Sequence, residues 1–275
     1  MDMSNAPGEG DDYLLQDLDL LENAVRKAGA LALSYFGREI SSKTKDDGTR
    51  VSEADFAVDA MLHKALTSGR PDYGWLSEET ADDPARLGRS HVWIVDPIDG
   101  TSAFLAGTPL WTIAAALVDG DQPVLGVVYN AVRSEMFVAR RGHGAFKNGR
   151  PIAVRDSTRI EGIDVAASAG LFKKKKLWSE PWPEVNSTWI NSAAYRLACI
   201  ADGRIHAAVS PTPKSEWDLA APTLLVQEAG GVVTETDGQA LSFNQPVPRH
   251  KGLVAAGPEL HRLLVERTRT ITDSG

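Results

Sequence analysis

Residues 93–101 read Trp-Ile-Val-Asp-Pro-Ile-Asp-Gly-Thr, and the rest of the chain is organised around this stretch. The apolar run 91–95 predicts a buried strand. That strand is followed by Asp96 and by Pro97, which has no backbone N–H to continue a sheet ladder. We therefore expect the strand to end and the chain to turn at Asp96.

Two carboxylates, Asp96 and Asp99, stand three positions apart in this stretch, with Gly100 and Thr101 after them. Oxygen ligands at this density suit Mg²⁺, which binds few protein carboxylates and completes its shell with water and phosphate oxygens. Gly100 lets the backbone approach a ligand, and a helix beginning near Thr101 would direct free amides at a phosphate. The pattern indicates metal-assisted phosphoryl chemistry. The alternative is a loop in which the two aspartates only cap and turn the backbone.

The bulk composition describes a globular protein of 275 residues with a formal net charge of −8. This charge argues against nucleic acid as a partner, because binding to a phosphate backbone needs a basic face. A single cysteine, Cys199, excludes an internal disulfide and is predicted to lie in the core. No apolar run approaches the ~20 residues of a membrane span. Residues 1–12 are predicted to form a disordered tail without a secretory signal, so a cytoplasmic location is expected.

Two patterns near the N-terminus predict helices. Apolar residues between positions 13 and 36 recur in steps of four and three, as on one face of a long amphipathic helix that Gly37 ends. Ser52 and Asp55 form a capping-box pattern at the start of a second helix, which places Asp55 in its first turn. That position is favourable for any acidic residue, so Asp55 can be a helix-stabilising acid, a functional acid or both.

A short strand at 74–76 is predicted to deliver Glu78 and Glu79 at its end. Adjacent acids in a loop are usually solvated, but after a buried strand they are candidates for a metal site. Further along, the predicted elements are a hairpin at 112–118 and 124–129, strands at 135–139, 205–209 and 231–234, a turn at 142–149, and helices at 192–201, 219–227 and 259–268. The antiparallel pieces argue against a doubly wound Rossmann fold.

Four ordered motifs carry a family resemblance. Residues 93–101, with Phe104 and Gly107, resemble the first signature of the lithium-sensitive, Mg²⁺-dependent phosphatases of the inositol monophosphatase superfamily. Residues 217–222, Trp-Asp-Leu-Ala-Ala-Pro, running on to the Glu-Ala-Gly-Gly of 228–231, resemble the second signature. The segments 77–79 and 47–55 resemble two further family elements. The resemblance extends from about Leu14 to Leu264.

This resemblance implies an α/β fold of the α+β kind, a layered α-β-α-β-α sandwich of the inositol monophosphatase and fructose-1,6-bisphosphatase type. An N-terminal α+β subdomain, 13–157, would carry the metal site, and a C-terminal α/β subdomain, 158–275, would complete it. The resemblance also implies hydrolysis of a small phosphorylated metabolite, inhibition by Li⁺ and a homodimer.

The resemblance further implies two or three Mg²⁺ ions and a role for each site residue. The implied metal ligands are Glu78, Asp96 and the Ile98 carbonyl for one ion, and Asp96, Asp99 and Asp218 for another. Thr101 would position the attacking water, oriented in turn by Asp55, with Glu78 near the ion that lowers the pKa of that water. The Gly100 and Thr101 amides would hold the phosphate, and Lys45 would lie near it. For Thr101 and Asp218 helix capping, and for Lys45 a solvated loop position, remain the alternatives.

Two departures from the family pattern bear on the substrate. Where inositol monophosphatases usually have Gly-Ser/Thr-Ala, this chain has Asn-Ser-Ala at 191–193, and Ser192 is a predicted substrate contact. Lys214, in Pro-Lys-Ser-Glu-Trp-Asp at 213–218, resembles the lysine-containing segment of 3′(2′),5′-bisphosphate nucleotidases and could neutralise a second phosphate. Glu216 is the nearest acid that could accept hydrogen bonds from inositol hydroxyls.

The function that the sequence and this resemblance support best is that of a Mg²⁺-dependent 3′(2′),5′-bisphosphate nucleotidase, which converts 3′-phosphoadenosine 5′-phosphate to AMP and phosphate. The alternatives are an inositol-1-monophosphatase, or a phosphatase acting on histidinol phosphate or a sugar bisphosphate. A different class, a non-catalytic regulatory protein on the same fold, is disfavoured because every expected carboxylate is present.

Overall fold

The computed structural model describes residues 9–46, 48–168, 170–174, 177–178 and 180–269. Through the first half of the chain the elements are α1 (Glu9–Tyr35), β1 (Ser42–Thr44), β2 (Arg50–Ser52), α2 (Glu53–Gly69), β3 (Gly74–Ser77), β4 (His91–Asp99), α3 (Thr101–Leu105), β5 (Thr112–Asp119), β6 (Gln122–Asn130), β7 (Glu135–Arg140), β8 (Ala145–Lys147) and β9 (Arg150–Pro151). The second half adds β10 (Asp164–Ala166), β11 (Asn186–Thr188), α4 (Ala193–Ala201), β12 (Ala207–Ser210), β13 (Lys214–Ser215), α5 (Glu216–Glu228), β14 (Val232–Thr234), β15 (Arg249–His250), β16 (Leu253–Ala256) and α6 (Pro258–Thr268). Short 3₁₀ turns lie at Pro84–Gly88 and Leu171–Lys173.

Strands β3 to β9 form a seven-stranded sheet in sequence order. Within this sheet only β3 and β4 pair in parallel. The hairpin of β5 and β6 confirms the prediction of antiparallel strands. The predicted end of β4 at Asp96 is wrong, because the strand continues to Asp99. Its pairing with β5 shifts register between Asp96 and Asp99, so a bulge accommodates the proline that would otherwise break the ladder.

The two faces of this sheet are buried against different helices. Trp93 and Val95 of β4 pack in one apolar cluster with α1 and α2, whereas Val92 and Ile94 pack in another with α4 and α5. Successive side chains along a strand point to opposite faces of the sheet. A strand that is apolar at every position must therefore be covered on both faces. The continuous apolar run therefore places β4 in the middle of the molecule.

A five-stranded sheet, in the order β11-β10-β12-β16-β14, lies on the other side of α4 and α5. Its outer face forms a third apolar cluster with Leu260, Leu264 and Val265 of α6. The layers thus run from α1 and α2, through the seven-stranded sheet, α4 and α5 and the five-stranded sheet, to α6. This confirms the predicted α-β-α-β-α sandwich.

Most differences from the sequence predictions concern element ends. Helix α1 begins at Glu9, so residues 9–12 are helical where a tail was predicted, and residues 1–8 lie outside the described part of the chain. The predicted turn at 142–149 contains the short strand β8. Cys199 is buried, as expected. Across the described residues, none of the helices combines the length and the apolar character that a membrane crossing requires.

Candidate functional site

Three carboxylates converge at the centre of the sandwich. Asp96 and Asp99 stand on either side of the bulge in β4, and Asp218 lies in the first turn of α5. One ligand oxygen from each of the three lies within 4.8 Å of the others. Residues that are 122 positions apart in sequence therefore share one site, because α5 packs directly on the face of the sheet that β4 crosses.

The N-terminus of α4 holds Asp99 in place. Asp99 accepts hydrogen bonds from the Ser192 hydroxyl at 2.6 Å and from the backbone amides of Ala193 at 3.2 Å and Ala194 at 2.5 Å. Ser192 is itself the cap of α4 and is fully buried. The Ser192 hydroxyl therefore faces Asp99, and its predicted contact with the substrate stays a prediction.

Burial, reinforced by crowded negative charge, sets the electrostatics of these carboxylates. Burial, together with the charges of Glu78, Asp99 and Asp218, raises the pKa of Asp96 well above its ordinary value. Burial and the charges of Asp99 and Glu78 raise the pKa of Asp218 to about 7. An all-oxygen cluster whose ionised form is this unfavourable is suited to a hard divalent cation such as Mg²⁺.

Thr101 and Asp55 form a second, fully internal pair next to the carboxylates. The Thr101 hydroxyl lies 3.0 Å from Asp55 Oδ1 and 3.2 Å from the Ile98 carbonyl oxygen. The other oxygen of Asp55 accepts hydrogen bonds from the Ser52 amide at 2.8 Å and the Ser52 hydroxyl at 2.5 Å. The predicted capping box is thus confirmed, and the same carboxylate caps α2 and orients Thr101.

Lys45 links the two glutamates that follow β3. Its ammonium donates to Glu78 Oε1 at 2.9 Å and to Glu79 Oε1 at 2.7 Å. Burial lowers the pKa of Lys45, but the hydrogen bonds from it to Glu79 and Glu78 outweigh that effect, so the net pKa is raised. Burial raises the pKa of Glu79 to about 7. Lys45 is therefore bonded to protein side chains and is not a solvated loop lysine. Asp47, in the same motif, lies outside the described residues.

Gly100 is required by the backbone at this point. It has φ of +98° and is the residue before α3. A Cβ there would lie 3.0 Å from the Leu110 carbonyl oxygen and 3.3 Å from Ser192. Only glycine accepts both the left-handed conformation and this close approach of the chain to α4.

Two recesses open onto this centre and share Thr49, Glu78 and Asp218. The metal recess is lined in addition by Gly48, Arg50, Asp96, Asp99, Gly100, Thr101, Ser102 and Asn191. The distal recess beside it is lined in addition by Pro213, Lys214, Ser215, Trp217, Val247, Pro248 and Arg249. All the predicted site residues thus lie in one continuous cleft or bond directly to a residue that lines it; Ser192 does so through Asp99.

Two supporting residues were not found from the sequence. Asp59, one turn after Asp55 on α2, accepts hydrogen bonds from the hydroxyls of Ser77 and Thr80, on either side of the two glutamates. The i,i+4 spacing of the two aspartates was the available signal. Arg196 is buried one turn into α4, where its guanidinium lies 4.7 Å from the centre of the Trp189 ring. No sequence pattern distinguished it from an ordinary helix arginine.

Comparison with known proteins agrees with this geometry. The inositol monophosphatase family profile matches residues 15–273. A histidinol-phosphatase from Chlorobaculum parvum is 34% identical over 259 residues, covering 90% of this chain and 95% of that protein. An inositol-1-monophosphatase from Mesorhizobium japonicum is 32% identical over 266 residues, covering 92% and 96%.

Solved structures show the same fold. The extragenic suppressor protein suhB from Bartonella henselae superimposes with a TM-score of 0.79 at 28% identity, covering 92% of this chain and 98% of that one. The family profile spans the β4 motif, the acidic cluster and the α5 motif together, and members of that family are Mg²⁺-dependent phosphoric monoester hydrolases. The chain belongs to the inositol monophosphatase family.

Proposed function

We propose that this phosphatase hydrolyses a small metabolite that carries a second phosphate, namely a 3′(2′),5′-bisphosphate nucleotide such as 3′-phosphoadenosine 5′-phosphate. The observation that carries this proposal is Lys214, a half-buried lysine on the wall of the distal recess, directly beside Asp218. Within the described residues its ammonium has no hydrogen-bond or ion-pair partner.

The residues of the metal recess support hydrolysis by water. Glu78, Asp96, Asp99, Asp218 and the Ile98 carbonyl would hold Mg²⁺. The bound metal would neutralise phosphate charge and lower the pKa of a water molecule. The Thr101 hydroxyl donates its proton toward Asp55, which leaves its lone pairs free to accept a hydrogen bond from a water and so to orient it. The backbone amides of Gly100 and Thr101 would bind phosphate oxygens, because both residues line the metal recess at the start of α3.

Lys214 is placed for an anion beyond the reacting phosphate. Burial lowers its pKa, the charges of Asp218 and Asp99 oppose that shift, and the neighbouring charges of Arg196 and Arg249 reinforce it. With Mg²⁺ neutralising the carboxylates, the two cations that line the recess, Lys214 and Arg249, would remain without matching negative charge. A substrate that brings a second phosphate into the recess restores the balance.

An inositol phosphate is the second candidate, because relatives such as the Mesorhizobium japonicum protein bear that name. The acid that was considered for inositol hydroxyls, Glu216, is fully buried. Its carboxylate accepts hydrogen bonds from the backbone amides of Asn244 at 2.7 Å and Gln245 at 2.9 Å. The Glu216 carboxylate is therefore committed to the protein. The residues that line only the distal recess include two cations, Lys214 and Arg249, and no carboxylate.

The test is phosphate release with Mg²⁺ from 3′-phosphoadenosine 5′-phosphate, inositol 1-phosphate and histidinol phosphate, compared as kcat/KM. We expect a preference of about a hundredfold or more for the nucleotide, which corresponds to a well-made charged contact. A comparable preference for inositol 1-phosphate or histidinol phosphate would reject the proposed substrate and leave the phosphatase assignment intact. The predicted homodimer and cytoplasmic location stay predictions.

A further inference from the structure

We propose that residues 244–249 form a preorganised recognition wall, in which Arg249 joins Lys214 in binding the distal phosphate while Trp217 and Val247 contact the organic body of the ligand. The nucleotide identity of that ligand rests on the proposed function. The wall itself rests on the geometry of the distal recess.

The two cations are brought together by a short two-stranded ladder. Strands β13 and β15 pair antiparallel, with Ser215 opposite Arg249 and Lys214 opposite His250. Neighbouring strands lie about 4.8 Å apart, so Lys214 and Arg249 are diagonal neighbours across this ladder. Both residues line the distal recess. No sequence pattern connects them, since 34 residues lie between Lys214 and Arg249.

Both cations are available for a ligand. In the ranges that the structure describes, neither the Lys214 ammonium nor the exposed Arg249 guanidinium has a hydrogen-bond or ion-pair partner. Most other cations at this end of the molecule are engaged; Arg86, for example, bonds to Asp82 and to the 244–249 segment. Two cations that line one recess and have no such partner, in a protein with a net charge of −8, indicate a site for an anion.

The segment that carries Arg249 is fixed at its base. Glu216 accepts hydrogen bonds from the amides of Asn244 and Gln245, at 2.7 and 2.9 Å. Arg86 donates to the Asn244 side-chain oxygen at 2.6 Å and to the Gln245 carbonyl at 2.9 Å. A buried acid and a buried arginine therefore hold the start of the wall, which reduces the entropy lost when a ligand orders its far end.

The wall also presents apolar surface to the ligand. Val247 is 71% exposed, yet it borders the distal recess beside Pro213, Trp217 and Pro248. Val247 is not a single exposed residue, because the other three side chains give the same recess further apolar surface that a ligand can cover. Apolar walls with two cations suit a ligand whose phosphate is attached to a flat, largely apolar body, as in a nucleoside phosphate.

The experiment measures binding of 5′-AMP and of adenosine by isothermal titration calorimetry, with saturating Mg²⁺ and orthophosphate present to occupy the metal recess. We expect wild-type protein to bind 5′-AMP at least about tenfold more tightly than adenosine, and Arg249→Met to lose about tenfold in 5′-AMP affinity with adenosine unchanged. Arg26→Met, at an exposed position on α1, is the matched control.

Two results would overturn the wall. One is equal binding of 5′-AMP and adenosine by the wild type, and the other is 5′-AMP binding by Arg249→Met within about twofold of wild type. Because binding is measured separately from turnover, the two proposals can fail independently. If 3′-phosphoadenosine 5′-phosphate is not hydrolysed but the expected binding is found, the wall stands and the nucleotidase assignment falls. If 3′-phosphoadenosine 5′-phosphate is hydrolysed efficiently but Arg249→Met binds 5′-AMP as wild type does, the nucleotidase assignment stands and the wall falls.

Discussion

The Thr101 hydroxyl lies 3.0 Å from Asp55 Oδ1, although the two residues are 46 positions apart in the chain. Both side chains are buried, and the second oxygen of Asp55 is held by Ser52. The direction of the Thr101 proton is thus fixed from the α2 side. A hydroxyl held in this way can accept a hydrogen bond from a water molecule at the open side of the cleft.

Removing this hydroxyl should lower kcat with little effect on KM. We expect Thr101→Ala to reduce kcat by about 10²–10³-fold at saturating Mg²⁺, because the attacking water loses its orienting acceptor. Thr101→Ser keeps the hydroxyl and should retain most of the activity. Steady-state phosphate release measures both variants, and a Thr101→Ala enzyme within about threefold of wild type would contradict the role given to Thr101.

Asp99 should matter for turnover and for the stability of α4 together. Asp99→Asn removes a charged metal ligand and disrupts an acceptor of three hydrogen bonds at the start of α4. We expect Mg²⁺-dependent phosphate release to fall at least about a hundredfold. The free energy of unfolding should fall by about 1–2 kcal/mol in urea titrations.

The matched control for Asp99 is Asp156, which accepts hydrogen bonds from the first amides of α6 at 3.1 and 3.0 Å. Asp156→Asn should cost similar stability and leave phosphate release unchanged. If Asp99→Asn keeps near-wild-type Mg²⁺-dependent activity, Asp99 is not a metal ligand.

Gly100 should tolerate no side chain. Gly107 is the control, because it shares the positive φ of Gly100 but not its close contact with another part of the chain. Gly100→Ala places a Cβ against the Leu110 carbonyl oxygen at a φ of +98°. Gly107→Ala also faces a positive φ, of +68°, but its Cβ meets nothing within 4 Å. We expect a loss of about 1 kcal/mol for Gly107→Ala and about 2–4 kcal/mol for Gly100→Ala in urea unfolding. Equal losses would show that the contact with Leu110 relaxes freely.

The local features of this site could be predicted from the sequence, and the long-range supports could not. The Ser52–Asp55 capping box is a pattern of spacing, and the structure confirms it. The bulge after Asp96 could not be foreseen, because it depends on pairing with β5. Pro97 alone predicts the end of a strand.

The same limit explains why the surroundings of Ser192 and Glu216 could not be predicted from the sequence. Each was considered for the substrate because of its position beside a family motif. Ser192 is buried against Asp99, and Glu216 is buried against residues 244 and 245. Which polar group faces a ligand and which faces another loop is decided by tertiary packing, and neither composition nor periodicity reports it.

The pKa shifts predict how stability depends on pH and on metal. The pKa of Asp218 is raised to about 7 in the folded protein, whereas an unfolded aspartate has a pKa of about 3.9. Between these values the folded protein binds more protons, so the free energy of unfolding of the metal-free protein should fall as pH rises. With Mg²⁺ bound, the ionised carboxylates are stabilised and stabilisation by the metal should grow with pH. Thermal unfolding in EDTA and in excess Mg²⁺, from about pH 5 to pH 8, measures both trends.

Asp218→Asn separates the acidic cluster from other titrating groups. Glu216 also has a pKa raised to about 7 by burial, but it lies outside the carboxylate cluster and its contribution should persist in the variant. The variant should therefore show a shallower fall of Tm with pH in EDTA and a smaller gain from Mg²⁺. If the wild type and Asp218→Asn show the same change of Tm with pH in EDTA, the three carboxylates are separated further, or solvated better, than their shared 4.8 Å geometry indicates. That result would also weaken the case for Mg²⁺ at this position, since the unfavourable charge there is what a divalent cation would relieve.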